Sequence, residues 1–219
     1  MRTHWFFDFD GTLCDTEADI KAAWRAALRN LGKDCPQFDR VYRTGPTLEQ
    51  VAYMLFEDAT PALVDAIKEQ FRTCYDGSDF PSTRPYKWVP AWLENLKRQG
   101  CRIYIATNKR WNPTRILVKK LGWDVLFDGC YSFDSFLDSG VAAVHPGAPR
   151  RALTKAELLS EVMRLRGIDS ADAVMVGDTK GDVSSGAAAG MHTIGCTWGY
   201  GAREELEEAD EIYEAARFA

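Results

Sequence analysis

Several features that would assign a chain to a well-known class are missing from this sequence of 219 residues. Its six cysteines are widely spaced and include no C-x-x-C pair, so we expect free, mostly buried thiols rather than a disulfide framework. The three histidines are isolated, which argues against a transition-metal centre and against a histidine-activated nucleophile. No G-x-x-x-x-G-K-[ST] segment occurs, so a P-loop ATPase is not indicated.

Charge and hydropathy exclude further partners. The formal net charge is only −5, and lysines and arginines are scattered, so neither nucleic acid nor an anionic membrane is expected as a partner. No run approaches the roughly 18 apolar residues of a membrane span. The first residues carry one arginine and a very short apolar run, so no signal peptide is expected. With 46% hydrophobic residues, we expect a globular, cytoplasmic protein with its own core.

What the chain does contain is an alternation of short apolar runs and helical patterns. This alternation predicts an α/β fold with a Rossmann-like parallel sheet and helices on both faces. The strand-like runs are residues 5–9, 102–107, 129–133, 173–176 and 192–197, and the helical patterns between them are residues 88–100, 113–122 and 154–167. In such folds the ligand site lies beyond the carboxyl ends of the strands.

The connection after the first strand is much too long for a simple crossover, because about 90 residues separate it from the second strand. This stretch has helical periodicity, as in the apolar positions Ile20, Trp24, Ala27 and Leu31. Thr47 with Gln50 predicts a capping box that opens a further helix. We therefore expect a core of residues 1–15 and 85–219 and an inserted helical domain of residues 16–84, in a position to act as a lid.

Two acidic pairs lie at the ends of predicted strands. Asp8 and Asp10 are two residues apart at the end of the first strand, so both can face one site, and Asp178 and Asp182 follow the run 173–176. Together they predict an all-oxygen site suited to Mg²⁺, which binds few carboxylates and keeps water and phosphate as its other ligands. The alternative is helix N-capping, since Thr179 and Asp182 also fit a capping box.

Thr107, Asn108 and Lys155 supply groups that a phosphate site needs. Thr107 and Asn108 end the run 102–107 and can donate hydrogen bonds to phosphate oxygens, although the pair also suits an ordinary helix cap. Thr154 and Glu157 predict a capping box that makes Lys155 the first helical residue. A lysine there opposes the helix dipole but lies where anions bind, and a plain surface lysine is the alternative.

The electrostatics connect these groups. A carboxylate that attacks a phosphate meets a repulsion of about 4 kcal/mol for each charge pair at about 4 Å and an effective dielectric constant near 20. A divalent metal and a lysine ammonium can offset this repulsion, and such charge neutralisation together with positioning is most of what phosphoryl-transfer catalysis requires.

The segments resemble, in order, the four motifs of the haloacid dehalogenase superfamily of phosphohydrolases. The matching segments are residues 8–12 (DFDGT), residues 106–108 (ATN), Lys155, and residues 177–182 (GDTKGD). The first and last motifs are highly specific, and the helical insertion falls where that superfamily has its first type of cap domain.

The resemblance implies a role for each acid. Asp8 is implied to be the nucleophile that forms an aspartyl-phosphate, and Asp10 the group that protonates the leaving oxygen and then deprotonates the attacking water. Mg²⁺ is implied to be held by the Asp8 carboxylate, the Asp10 backbone carbonyl and Asp178, with Asp182 in support.

The resemblance also implies that Thr107 and Asn108 bind the phosphate and that Lys155 offsets charge. Lys155 is followed by alanine where relatives commonly have proline, and residues 134–151 form a long irregular segment before it. If the alignment is shifted there, the basic residues that could replace Lys155 are Arg150, Arg151 and Lys119.

Finer features resemble the phosphoglycolate phosphatase branch of the superfamily, namely the TNK triplet at 107–109, residues 190–201 and residues 203–206. Substrate choice in the superfamily depends largely on the cap, where Arg43 is a candidate substrate contact and a solvated arginine is the alternative. The resulting hypothesis is a Mg²⁺-dependent phosphatase acting on a small phosphorylated metabolite, with phosphoglycolate as the leading substrate.

Two other functions fit part of the pattern. A sugar-phosphate mutase of the same fold would use the same aspartyl-phosphate while keeping water from it. A phosphoaspartate receiver or regulatory protein also pairs acids with a threonine and a lysine, but it lacks a large insertion after the first strand. Haloacid dehalogenation is disfavoured because that chemistry does not require the second acid, Asp10.

Overall fold

The computed structural model describes residues 2–138 and 148–218. The middle of the segment predicted to be irregular, residues 139–147, lies outside the described residues. The strands are β1 (His4–Phe7), β2 (Cys14–Asp15), β3 (Arg84–Pro85), β4 (Arg102–Thr107), β5 (Gly129–Ser132), β6 (Ala173–Gly177), β7 (His192–Cys196) and β8 (Glu211–Tyr213). The helices are α1 (Glu17–Asn30), α2 (Phe38–Val41), α3 (Leu48–Leu55), α4 (Pro61–Asp76), α5 (Val89–Arg98), α6 (Trp111–Lys120), α7 (Ser135–Asp138), α8 (Lys155–Arg166) and α9 (Lys180–Ala188), with 3₁₀ turns at Ser170–Asp172, Arg203–Leu206 and Ala215–Phe218.

Six of these strands form one parallel sheet in the order β5-β4-β1-β6-β7-β8. The α/β prediction is therefore confirmed, and all five predicted strands are present with ends that differ by at most two residues. The edge strand β8 was not predicted. It has only three residues, of which only Tyr213 is buried, and so short a run has no usable periodicity.

Successive side chains of β1 point to opposite sides of the sheet. Since these side chains are apolar on both sides, each face of the sheet is covered by helices. On one face, Phe6 stacks on Tyr104 at 4.8 Å between ring centroids and belongs to a buried cluster that includes Leu158 of α8. On the other face, Phe7 contacts Trp92 of α5 edge-on at 5.1 Å. The central strand is therefore fixed by packing from two sides, which gives the residues that follow it a rigid support.

The chain divides into two compact units. The sheet unit consists of Met1–Asp15 and Arg84–Ala219, and within it β2 pairs with β3 in a small antiparallel ladder. The helical unit is Thr16–Thr83 and contains α1 to α4. The assignment of this unit as a cap domain stays a prediction.

The helical unit has a core of its own. Its interior includes the fully buried Ala27 and Ile67, together with Trp24, whose ring lies 4.9 Å from that of Phe71. The predicted capping box is present, with Gln50 N donating to Thr47 Oγ1 at 3.2 Å and Thr47 N donating to Gln50 Oε1 at 2.8 Å. In the part of the chain that the structure describes, no helix has both the length and the apolar composition of a membrane span.

The start and the end of the helical unit are tied together by one buried acid. Asp19 accepts hydrogen bonds from the backbone N–H groups of Ser82 and Thr83 and from the Thr83 hydroxyl, the last two at 2.7 Å. Since a buried carboxylate must be compensated, these bonds replace the water that Asp19 loses on folding.

Candidate active site

The sheet brings the ends of three predicted strands next to one another. Phe7 of β1 pairs with Ile105 of β4 on one side and with Val176 of β6 on the other. The N–H of Asp8 continues the ladder by donating to Val176 O at 2.9 Å. The residues after β1, β4 and β6 therefore lie at the same edge, where the sequence predicts the site.

Asp8 and Lys155 form an ion pair at this edge. Lys155 Nζ lies 2.8 Å from Asp8 Oδ1 and also contacts Asp182 Oδ1, although the lysine comes from α8. Its predicted capping box is present, with Glu157 N donating to Thr154 Oγ1 at 3.3 Å. Lys155 is buried, so the surface-lysine alternative is wrong.

The basic residues named as replacements for Lys155 do not occupy its place. Arg151 is exposed and pairs with Glu157 at 2.7 Å, while Arg150 and Lys119 are exposed. The lysine that reaches Asp8 is therefore Lys155. Burial works to lower the pKa of Lys155, but the charges of Asp182 and Asp8 outweigh it and raise this pKa above its usual value.

Three carboxylates come together around that lysine. One ligand oxygen each from Asp8, Asp178 and Asp182 lies within 4.8 Å of the others, and all three residues are buried. Burial is the largest cause that raises the pKa of Asp8 to about 6, against the opposing Lys155 charge, and that raises the pKa of Asp178 to about 7. Asp182 adds like-charge repulsion to both.

This group of acids fits a divalent cation. When ionised, the three carboxylates outnumber the single Lys155 ammonium by two negative charges. Oxygen-only donors are those that Mg²⁺ prefers. The raised pKa values have the sign expected of a buried acidic site that lacks its full counter-charge.

Asp178 is held in a close-fitting cradle. Its Oδ1 accepts a hydrogen bond from Thr12 Oγ1 at 2.9 Å, and its Oδ2 accepts one from the N–H of Tyr200 at 2.7 Å. A side chain at Gly11, whose φ is +79°, or at Gly199 would overlap the Asp178 carboxylate. Glycine is required at these two positions because the backbone approaches the acid so closely.

The loop around Trp198 and Tyr200 resembles that of the phosphoglycolate phosphatase branch, but its sequence predicts no structural role for it. Besides the Tyr200 amide bond, Trp198 Nε1 donates to the backbone carbonyl of Thr12 at 3.0 Å. The loop therefore holds both Asp178 and the threonine that binds it. The G-Y-G sequence was the available signal, because clustered glycines indicate close backbone approach.

Asp182 serves both a helix cap and the acidic group. Its Oδ2 accepts from Thr179 N at 3.1 Å and from Thr179 Oγ1 at 2.7 Å, which completes the capping box at the start of α9. Its Oδ1 faces Lys155. The capping interpretation of this acid is thus correct as well, and its two oxygens are already engaged.

Asp10 lies apart from the acidic group. Its carboxylate is not one of the three clustered acids and instead binds Lys109, whose Nζ lies 2.9 Å from Oδ1 and 3.2 Å from Oδ2. The prediction of Asp10 as a metal ligand concerned its backbone carbonyl, and it stays a prediction. Lys109 is the last residue of the TNK triplet, and the sequence predicts no role for it.

Thr107 and Asn108 differ in exposure. Thr107 is buried, and its Oγ1 accepts a hydrogen bond from the Lys109 N–H at 3.1 Å, as in an ordinary turn. Asn108 is exposed at the same edge. Arg43 belongs to the helical unit, where its Nη1 donates to the backbone carbonyls of Arg40 at 3.0 Å and of Tyr42 at 2.8 Å.

This chain is similar in sequence and in fold to known proteins. The profile of the haloacid dehalogenase-like hydrolases matches residues 5–196. A phosphoglycolate phosphatase from Neisseria gonorrhoeae is 30% identical over 210 residues, with 93% of this chain and 84% of that protein covered. A 5′-nucleotidase from Pseudomonas aeruginosa is 28% identical, with 97% and 90% covered. The solved structure of a haloacid dehalogenase-like hydrolase from Streptococcus pneumoniae superposes with a TM-score of 0.79 at 23% identity, covering 98% of this chain and 94% of that one.

Proposed function

The chain belongs to the haloacid dehalogenase-like hydrolase family and is a phosphatase, and we propose that it hydrolyses a small phosphomonoester through an aspartyl-phosphate on Asp8, with Mg²⁺ as its cofactor. The observation that carries the proposal is the buried set of Asp8, Asp178 and Asp182 with Lys155 between two of them. This set combines a nucleophile with the positive charge it needs at one end of the sheet.

Asp8 attacks phosphorus in the first step. A carboxylate can act as a covalent nucleophile, but repulsion between it and the phosphate must first be offset. Lys155 Nζ, at 2.8 Å from Asp8 Oδ1, supplies a fixed positive charge for this purpose. As the Asp8 oxygen bonds to phosphorus, the bond from phosphorus to the leaving oxygen breaks, and its electron pair goes to that oxygen.

Asp10 moves the proton in both steps. Its carboxyl group gives a proton to the leaving oxygen and becomes a carboxylate. It then removes a proton from the water that attacks phosphorus, and the bond between phosphorus and Asp8 breaks. Inorganic phosphate leaves, and Asp8 and Asp10 return to their starting states. The different surroundings of these two acids support different roles.

The residues that would hold Mg²⁺ are Asp8 and Asp178 through their carboxylates and Asp10 through its backbone carbonyl, with Asp182 in support. When bound, Mg²⁺ supplies charge neutralisation for the phosphate and the nucleophile. The fit rests on the excess negative charge of the acidic group and on the cradle that fixes Asp178. Thr107 and Asn108 are proposed to bind the phosphate at the neighbouring strand end.

For the substrate, we propose phosphoglycolate first. The support is the 30% identical phosphoglycolate phosphatase and the TNK and WGYG segments at residues 107–109 and 198–201. Because the 5′-nucleotidase relative acts on a different class, nucleoside monophosphates belong in the same assay. Arg43, on the helical unit, is proposed as a substrate contact. We also propose a cytoplasmic location, supported by six cysteines that are all free.

A phosphate-release assay over a panel of metabolites, with and without Mg²⁺, tests the proposal. We expect release to depend on Mg²⁺ and to fall at least about 10³-fold in Asp8→Asn, because the amide cannot form the aspartyl-phosphate. Asp124→Asn, an exposed loop position in the same unit, is the matched control and should retain activity. Undiminished turnover in Asp8→Asn would sink the mechanism.

The same assay separates the two alternatives. A mutase would convert a sugar phosphate to its isomer with little net phosphate release. A receiver would accumulate a long-lived aspartyl-phosphate with negligible turnover. Sustained release of phosphate from a small ester counts against both.

A further inference from the structure

The charged groups around the site divide between two lysines. Lys155 contacts Asp8 and Asp182, whereas Lys109 contacts both oxygens of Asp10, at 2.9 and 3.2 Å. The two lysines come from different parts of the chain, one at the start of α8 and one just after β4. Each proposed reacting carboxylate therefore has a lysine beside it.

We infer that Lys109 is a positioning residue that holds the Asp10 carboxyl group in place for proton transfer. The inference rests on the proposed function, in which Asp10 gives a proton to the leaving oxygen. Lys109 does not itself touch the reacting atoms; it acts through Asp10.

Lys109 is itself well fixed, as a positioning residue must be. Its side chain is only 3% exposed, whereas that of Asp10 is 24% exposed. Its backbone N–H donates to Thr107 Oγ1, and its Nζ lies 5.8 Å from the centre of the Phe9 ring. A buried stem leaves the ammonium few alternative positions, so Asp10 is bound to a rigid support rather than to a mobile surface chain.

Repulsion within the site explains why Asp10 needs such a support. Asp8 and Asp10 are two residues apart at the end of the same strand, so their carboxylates repel each other whenever both are ionised. Without a cation of its own, Asp10 would turn towards solvent, because its side chain is partly exposed. The Lys109 ammonium offsets that tendency and keeps Asp10 separate from the acids proposed to bind metal.

The contact can persist while the proton moves. Because Lys109 faces both oxygens of Asp10, a proton on one oxygen leaves the other able to accept from the ammonium. The lysine can therefore orient the carboxyl group before and after it gives up its proton. Proton transfer needs hydrogen-bond reach, so a small displacement of Asp10 lowers the rate.

Leaving-group dependence provides the test. An alkyl phosphate needs a proton on its leaving oxygen, whereas p-nitrophenyl phosphate, with a much better leaving group, needs it far less. We compare kcat/KM for both substrates in Lys109→Met, because this quantity reports steps through release of the alcohol. We expect a loss of about 10²-fold for the alkyl phosphate, at the low end of what a positioned acid contributes, and of only a few-fold for the aryl phosphate.

Four further variants separate positioning from other roles. Asp10→Asn should show the same discrimination between substrates, and adding Lys109→Met to it should cost nothing further on the alkyl phosphate, since the two residues act as one unit. Lys109→Arg should recover about tenfold by keeping the positive charge. Lys87→Met, an exposed lysine of the same unit, should match the unsubstituted protein.

Each outcome decides the matter. Equal losses on both substrates with a raised KM would make Lys109 a substrate-binding residue and overturn the inference, as would an unaffected Lys109→Met. A further loss from Lys109→Met in the Asp10→Asn background would do the same, and this double variant leaves no unpaired Asp10 charge to impair folding. If Asp10→Asn itself fails to discriminate, the proposed role of Asp10 fails; if only Lys109→Met fails to, the proposed function stands.

Discussion

Charged side chains cluster at two edges of the parallel sheet, the edge where the strands begin and the edge where they end. The pKa values of the carboxylates shift in opposite directions at these two edges. At the edge where the strands begin, Asp128 accepts from Lys97 Nζ at 2.8 Å, from Arg102 Nη1 at 2.7 Å and from the Ile103 N–H at 2.9 Å. Burial alone would raise the pKa of Asp128, but these three donors outweigh it and lower that pKa. The folded structure therefore favours the charged form of this acid.

At the edge where the strands end, the balance is reversed. The pKa values of Asp8 and Asp178 are raised to about 6 and about 7, because burial and neighbouring carboxylates outweigh the available donors. The same kinds of residue thus stabilise the fold at one edge and cost free energy at the other. An unfavourable charge arrangement that folding alone does not require is a mark of a functional site.

The largest expected effect is a difference in activity between two variants, each of which lacks one lysine at one of the two edges. Lys155→Met should lower phosphate release by about 10³-fold, because a charge pair worth about 4 kcal/mol near the nucleophile is lost. Lys97→Met removes a lysine that makes an equally short contact, 2.8 Å, with an acid at the other edge, and activity should be retained. Steady-state kinetics at saturating Mg²⁺ measure both.

Melting temperatures of the two variants serve as the control for folding. Equal losses of activity in both lysine variants would contradict the prediction that only the edge where the strands end takes part in catalysis.

We expect a smaller effect of Mg²⁺ and of pH on the thermal stability of the protein. In the unfolded chain both acids titrate near 3.8, and in the folded protein near 6 and 7. The folded state binds more protons in between, so the metal-free protein loses stability as pH rises from about 4 to about 7, and the loss is complete above that. Mg²⁺ binds the ionised acids, so at about 100 times its dissociation constant it should raise the melting temperature by about 5–10 °C at about pH 8.

At about pH 4.5 the same Mg²⁺ concentration should have almost no effect, because protons compete for the carboxylates. Asp178→Asn should abolish the shift at about pH 8. A shift of equal size at both pH values would show that Mg²⁺ binds elsewhere.

The smallest effect concerns the stabilising edge. Asp128→Asn should lower the free energy of unfolding at neutral pH by about 1–2 kcal/mol, because Lys97 and Arg102 both lose the negative charge with which they pair. Since the pKa of Asp128 is lowered on folding, its contribution exists above the unfolded pKa and disappears as pH falls through the folded one. Denaturant unfolding at about pH 7 and about pH 2.5 measures this, and activity should be unchanged.

A destabilisation that persisted undiminished at the acidic pH would contradict the ionic explanation. It would leave loss of packing or of the Ile103 hydrogen bond as the cause.

Local patterns predicted much of the structure. The capping boxes at Thr47, Thr154 and Thr179 are all present, since each depends on residues only three positions apart. The strand runs were predicted because the sheet is buried on both faces, which makes its strands continuously apolar. The short strand β8 has too few residues to show such a pattern.

Contacts between distant segments were not predictable in the same way. The resemblance placed Lys155 near Asp8, but nothing in the sequence showed that it also contacts Asp182. The bond between Lys109 and Asp10 joins residues 99 positions apart, and the bond between Tyr200 and Asp178 spans 22. No local propensity encodes such pairs, because they depend on which strand ends become neighbours.

The sequence by itself determined the α/β class, the starts of the three helices that open with capping boxes and the order of the acidic motifs, because periodicity and capping are properties of a few consecutive residues. Only the tertiary structure decided how the charges are shared: Lys155 between Asp8 and Asp182, and Lys109 with Asp10. The physical reason is that the electrostatic energy of a carboxylate depends on its burial and on the charges within a few ångströms, and both arise only once the strands are side by side.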